Sequence, residues 1–139
     1  MTFTFDYLSD IHSEFWPGEG NPARCDLFDY AAHKKNDIVV VDGDLMTDTH
    51  RGLKALAHIA SIYETVLYVD GNHDYRTGTE QPFPYNYNFR EVQQTLREGI
   101  AKMPNVTYLA AKPFVKDGVA IIGRNGHWDY ELITQGTTK

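Results

Sequence analysis

The stretch Val66-Leu67-Tyr68-Val69-Asp70-Gly71-Asn72-His73-Asp74 decides how this chain folds. Its four leading apolar residues suit a strand covered on both faces, and the Asp-Gly-Asn that follows turns the backbone away from the sheet. The same pattern stands earlier, where Ile38-Val39-Val40-Val41 runs into Asp42-Gly43-Asp44-Leu45. A third version lies near the start: Phe3, Phe5 and Tyr7 alternate with Thr4, Asp6 and Leu8 before Ser9-Asp10-Ile11-His12. Helical patterns separate these runs. Residues 25–35 place Leu27, Phe28, Ala31 and Ala32 on one side. Residues 50–63 carry the stripe Leu53, Leu56, Ala57, Ile59, Ala60 and Tyr63, with Thr49 as the expected cap. Strands alternating with helices predict an α/β fold with a parallel sheet and right-handed crossovers. In such sheets ligands sit beyond the carboxyl ends of the strands, where all three motifs fall.

Further along, residues 76–88 read as a loop rich in Pro, Tyr and Asn, and residues 89–103 as a helix. Short strands are expected over 106–109, 114–116 and 119–123, the last two joined by a turn at Lys116-Asp117-Gly118. At 139 residues the chain is one domain by length, with 42% apolar and 23% charged residues. The formal charge of −6 and the absence of a Lys/Arg cluster argue against nonspecific gripping of a nucleic-acid backbone. Cys25 is the single cysteine and excludes an internal disulfide. No basic segment followed by an apolar one opens the sequence, and no apolar run approaches about 18 residues. The expectation is a cytoplasmic protein with no membrane partner.

The residues at the three strand ends carry the chemistry. Asp10 and His12, one residue apart past a strand, offer a hard oxygen and a borderline nitrogen to one cation. Asp44 follows a glycine that permits a tight turn, and its two oxygens could bridge metals about 3.5–4 Å apart. Asn72 has an amide oxygen to give a metal. His73 is placed to donate to a phosphate oxygen or to protonate a leaving group, and Asp74 to fix the His73 tautomer from the other ring nitrogen. Surface or packing roles are expected for His33, His50 and His58. Arg76 is read as a loop cation or a phosphate contact, and Phe83, Tyr85, Tyr87 and Phe89 as packing of a long loop or a stacking wall for a base over the crevice. Asp42 and Asp70 either draw in cations or face solvent.

The set Ser9-Asp10-Ile11-His12, Val41-Asp42-Gly43-Asp44-Leu45 and Val69-Asp70-Gly71-Asn72-His73-Asp74-Tyr75 resembles the calcineurin-like metallophosphoesterases, especially small bacterial and phage members. The likeness continues into Asp117-Gly118-Val119-Ala120-Ile121-Ile122-Gly123 with Trp128-Asp129. It implies a sandwich of β-sheets flanked by helices. It also implies metal-dependent hydrolysis of phosphomonoesters or phosphodiesters through a metal-bridging hydroxide. Asp10 and His12 would then bind one metal, Asp44 bridge, Asn72 bind the second, and His73 help the leaving group. One or two divalent ions (Mn, Fe, Zn, Ni or Mg) are the implied cofactors, and a phosphorylated compound the substrate.

Such proteins add a later histidine and a Gly-His-x-His segment, and nothing here matches them. Gly126-His127-Trp128-Asp129 begins like the second but has Asp in place of its last His. The single domain over 1–139 is therefore expected to end after the first sheet and the start of the second. A homo-oligomer or a second polypeptide would cover the exposed sheet face. The alternative to an enzyme is a non-catalytic or truncated phosphoesterase-like module acting as a binding partner.

Overall fold

The structure is a computed structural model describing residues 3–13, 29–75 and 89–126. Four strands, β1 (Asp6–Ser9), β2 (Ile38–Asp42), β3 (Thr65–Val69) and β4 (Val106–Tyr108), form a parallel sheet in chain order. Their register sets Ser9 opposite Asp42 and Asp42 opposite Val69, so three strands end level with one another. That alignment brings Ser9, Asp42 and Val69, distant in sequence, to a single edge.

Strands in chain order, joined by crossovers of one hand, place their helices on one face. The helices are α1 (Tyr30–His33), α2 (Thr49–Ala60) and α3 (Phe89–Ile100). Val39, Val41, Val66, Tyr68, Val106 and Tyr108 point to that face and pack against Leu56 and Ile59 of α2 and Val92, Leu96 and Ile100 of α3. Each such Leu or Ile, fully buried, contributes about 1.5–3 kcal/mol. The alternate strand residues, Ile38, Val40, Leu67 and Val69, point the other way and meet Phe3, Leu109, Phe114 and Ile121.

Phe114 and Ile121 belong to the hairpin β5 (Phe114–Lys116) and β6 (Val119–Ile121), which forms a separate antiparallel sheet. Asp117 and Gly118 both have positive φ, 51° and 79°, the geometry of a tight two-residue turn. The hairpin covers only part of the second face, for Phe5, Tyr7, Val115, Val119 and Ile122 remain exposed. Among the described residues no helix is long and apolar enough to cross a membrane.

One expectation shifts in detail. Asp48, not Thr49, caps α2, its carboxylate accepting the Arg51 N–H at 2.9 Å. An aspartate in extended conformation reaches the free N–H groups of the first turn, and this leaves the Thr49 hydroxyl for the Asp74 carbonyl, 2.9 Å away. Asn105 is a tertiary tie, its amide donating to the carbonyls of Ala60 and Tyr63 at 2.7 and 2.9 Å. His50 and His33 are exposed and His58 is half-buried with its ring edge-on to Tyr30, as expected for surface and packing residues. Cys25, Arg76, Phe83, Tyr85, Tyr87, His127, Trp128 and Asp129 lie outside the described residues, as does the side chain of Phe89.

Candidate metal centre

The exits of β1, β2 and β3 are built on unusual backbone. Among the described residues four that are not glycine have positive φ, and three are Asp10 (52°), His12 (45°) and Asp44 (51°). Such conformations disfavour residues with a Cβ by about 1–2 kcal/mol each, least for Asp and Asn, and they concentrate at functional sites. Gly43, at 65°, precedes Asp44 and makes two left-handed residues in succession. The β1 exit follows the β2 exit closely: His12 N–H donates to the Asp44 carbonyl at 3.0 Å and Ser13 N–H to Leu45 at 3.1 Å.

These turns aim three side chains at one point. Ligand atoms of His12, Asp44 and His73 all lie within 4.8 Å of one another. His12 Nε2 stands 3.8 Å from Asp44 Oδ2, and the two imidazoles meet edge to face with centroids 4.4 Å apart. The other Asp44 oxygen, Oδ1, accepts the backbone N–H of His73 at 2.7 Å. Asp44 is 7% exposed, so its Oδ2 has little water to turn to. Thr47 Oγ1, 3.3 Å from His73 Nδ1, steadies the second ring.

Two imidazole nitrogens and a carboxylate oxygen suit Zn, Fe, Mn or Ni. With ligand bonds of about 2.0–2.2 Å, donor atoms around one ion lie within roughly 4.4 Å of each other, close to the spread here. The trio fits a divalent ion. Asn72 stands next to it, lining with Asp42 and Asp44 a groove of about 260 Å³. Asp10 is exposed at the same edge, its carboxylate taking the Ser9 hydroxyl, and is not one of the clustered three.

Asp74 departs from its expected role. It does not hold the His73 ring; its Oδ2 accepts the N–H of Gly71 at 2.7 Å and of Asp44 at 3.1 Å. The one-turn 3-10 helix at His73–Tyr75 sends adjacent side chains in different directions, His73 toward His12 and Asp44, and Asp74 into the protein, 1% exposed. Asp74 thus clasps the β2 exit to the β3 exit. Burial pushes its carboxyl up to about 7, although the Gly71, Tyr68 and Asp44 hydrogen bonds pull the other way.

A folded-state pKa above the ordinary 3.8 means stability is complete below about pH 4 and declines as pH rises through about 7. Asp74→Asn keeps an acceptor for both N–H groups without the titration. Urea unfolding of chelator-treated protein should show the wild type losing stability against Asp74→Asn between pH 5 and pH 8. Parallel pH profiles would mean that Asp74 is ionised where it sits. Asp74→Ala strands the N–H groups of Gly71 and Asp44 and the Tyr68 hydroxyl, and should cost about 1–3 kcal/mol for each buried donor at any pH.

Asp70 does not face solvent either. It is 2% exposed, with the hydroxyl of Tyr75 on Oδ2, that of Tyr108 on Oδ1 at 2.5 Å and the Asn125 amide on Oδ2 at 3.2 Å. Burial and the Asp70 carboxylate raise the pKa of both tyrosines. The node ties the turn bearing Asn72 and His73 to β4 and to the segment after β6. Asp42 is exposed and accepts the Tyr7 hydroxyl at 2.6 Å. Sequence reading missed Thr47, Asn125 and both tyrosines as partners of the site. Only the position of Thr47 just past the Gly-Asp turn hinted at its place.

The family model described as calcineurin-like phosphoesterase matches residues 3–134. No curated protein and no solved structure matches the chain significantly. The match runs through all three strand-end motifs and covers nearly the whole sequence, and on it the chain belongs to the calcineurin-like phosphoesterase family.

Proposed function

We propose that this chain is a metal-dependent hydrolase of phosphomonoester or phosphodiester bonds, acting at the groove beside His12, Asp44 and His73. The observation that carries the reading is the convergence of those three side chains from three strand exits, two of them on left-handed backbone. A divalent ion held there would polarise the phosphoryl group and lower the pKa of an attacking water. Asp44 is held by the His73 N–H at one oxygen and so presents the other without reorganising. Asn72 and Asp10, on the rim, are proposed to complete the shell of one ion or to hold a second. Thr47 fixes the orientation of His73, which either binds an ion through its remaining nitrogen or delivers a proton to the leaving oxygen.

The test begins with elemental analysis of protein purified without chelator, beside hydrolysis of p-nitrophenyl phosphate and bis(p-nitrophenyl) phosphate. At least one metal per chain is expected, with turnover lost on chelation and restored by one of Mn, Fe, Zn, Ni or Mg. Full turnover in metal-free protein would sink the proposal. A second reading, a binding module without turnover, is favoured by a described ligand cluster of only three side chains. Metal uptake with no hydrolysis of either ester would select it.

A further inference from the structure

The segment after β6 returns to the site and carries a cation with it. Gly123 lies flush against the end of β3: a Cβ there would overlap the Val69 side chain and stand 3.0 Å from the Leu109 Cβ. Two residues on, the Asn125 amide donates to Asp70 Oδ2 at 3.2 Å. Arg124 stands in the chain between these two anchors and lines the same groove as Asp42, Asp44 and Asn72. Three aspartates share that groove, yet Arg124 makes no hydrogen bond or ion pair among the described residues. Asp70 is occupied by two tyrosine hydroxyls and Asn125, and Asp42 accepts from Tyr7.

We propose that Arg124 receives the phosphoryl oxygens of the substrate and thereby favours phosphomonoesters over phosphodiesters, an inference that rests on the hydrolase reading above. A monoester near neutral pH has three non-bridging oxygens and close to two negative charges; a diester has two and one. Asp44 of the ligand cluster and Arg124 line the same groove, so a monoester whose phosphoryl group met an ion at the cluster would still have an oxygen for the guanidinium. The planar fork of arginine suits that contact better than an ammonium, since two N–H groups reach one phosphoryl group together. In a groove that holds three carboxylates, the same charge offsets the repulsion that a phosphate dianion would meet.

Arg124→Ala and Arg124→Lys test this on metal-loaded protein, and an exposed side chain makes either substitution harmless to folding. Arg124→Ala should lower kcat/KM for p-nitrophenyl phosphate by about tenfold to a hundredfold, mainly through KM. The loss for bis(p-nitrophenyl) phosphate should be far smaller, and Arg124→Lys should recover only part of the monoester activity. Equal losses for the two esters, or none, would overturn the proposal. Calorimetry with inorganic phosphate supplies a readout independent of turnover, with affinity expected to fall about tenfold in Arg124→Ala. An unchanged affinity would also overturn it. Should the wild type hydrolyse neither ester while phosphate binding still depends on Arg124, the hydrolase reading fails and the phosphate contact stands. Should the wild type hydrolyse both esters and the variant match it, the reverse holds.

Discussion

Asp44→Asn is expected to abolish metal-dependent phosphoester hydrolysis, by on the order of a thousandfold or more, while leaving the fold intact. The substitution is isosteric, but the hydrogen-bond pattern does not survive it. Oδ1 accepts the His73 N–H at 2.7 Å and Oδ2 faces His12 Nε2 at 3.8 Å. An asparagine that keeps its oxygen on the His73 N–H turns its NH2 toward the ligand position. The flipped rotamer sets two donors against each other at His73. Either way the ion loses the only anionic member of the trio. Metal content should fall with activity, and unchanged hydrolysis in Asp44→Asn would remove Asp44 from the site.

The second large effect is expected at a residue with no side chain. Gly71→Ala should lose metal and turnover nearly as completely, and it should also unfold at lower temperature. A Cβ at Gly71 would lie 2.6 Å from the Asp44 nitrogen and 2.7 Å from its carboxylate carbon. Neither atom has room to yield, since the Asp44 N–H is bonded to Asp74 and its Oδ1 to His73. Overpacking of this kind destabilises by about 1–3 kcal/mol. The pair of measurements separates the two variants: Asp44→Asn loses metal with little change in Tm, and Gly71→Ala loses both. Full activity in Gly71→Ala would mean that the two strand exits do not touch as described.

That contact also explains why the chain repeats itself. Gly43 and Gly71 face one another where β2 and β3 leave the sheet, and a Cβ on Gly43 would fall on the Gly71 backbone. The echo of Val-Asp-Gly-Asp in Val-Asp-Gly-Asn is thus one packing requirement met from both sides. Its two aspartates before the glycines have different fates, which the matching letters hide. Asp42 is exposed and meets Tyr7 of the edge strand β1; Asp70 is walled in by Tyr75, Tyr108 and Asn125, beside β4.

By itself the sequence determined the strands, the two long helices, the hairpin turn and the edge at which the chemistry gathers. Those follow from short-range patterns: β-branched runs with a period of two, apolar stripes with a helical period, and glycine where the chain must turn. It also singled out Asp10, His12, Asp44 and Asn72 as metal ligands and His73 and Asp74 as catalytic partners, because imidazole and carboxylate at consecutive strand ends are few enough to stand out. The structure clusters His12, Asp44 and His73 of these. Only the tertiary structure decided what each polar side chain faces. Asp74 sits beside His73 in the chain but binds the N–H of Asp44, thirty positions away, and Arg124 joins the groove only because the segment after β6 packs on the end of β3. A carboxylate takes its direction from whichever donors the packed strands leave unpaired. Those donors come from segments distant in sequence, so no local pattern could have assigned them.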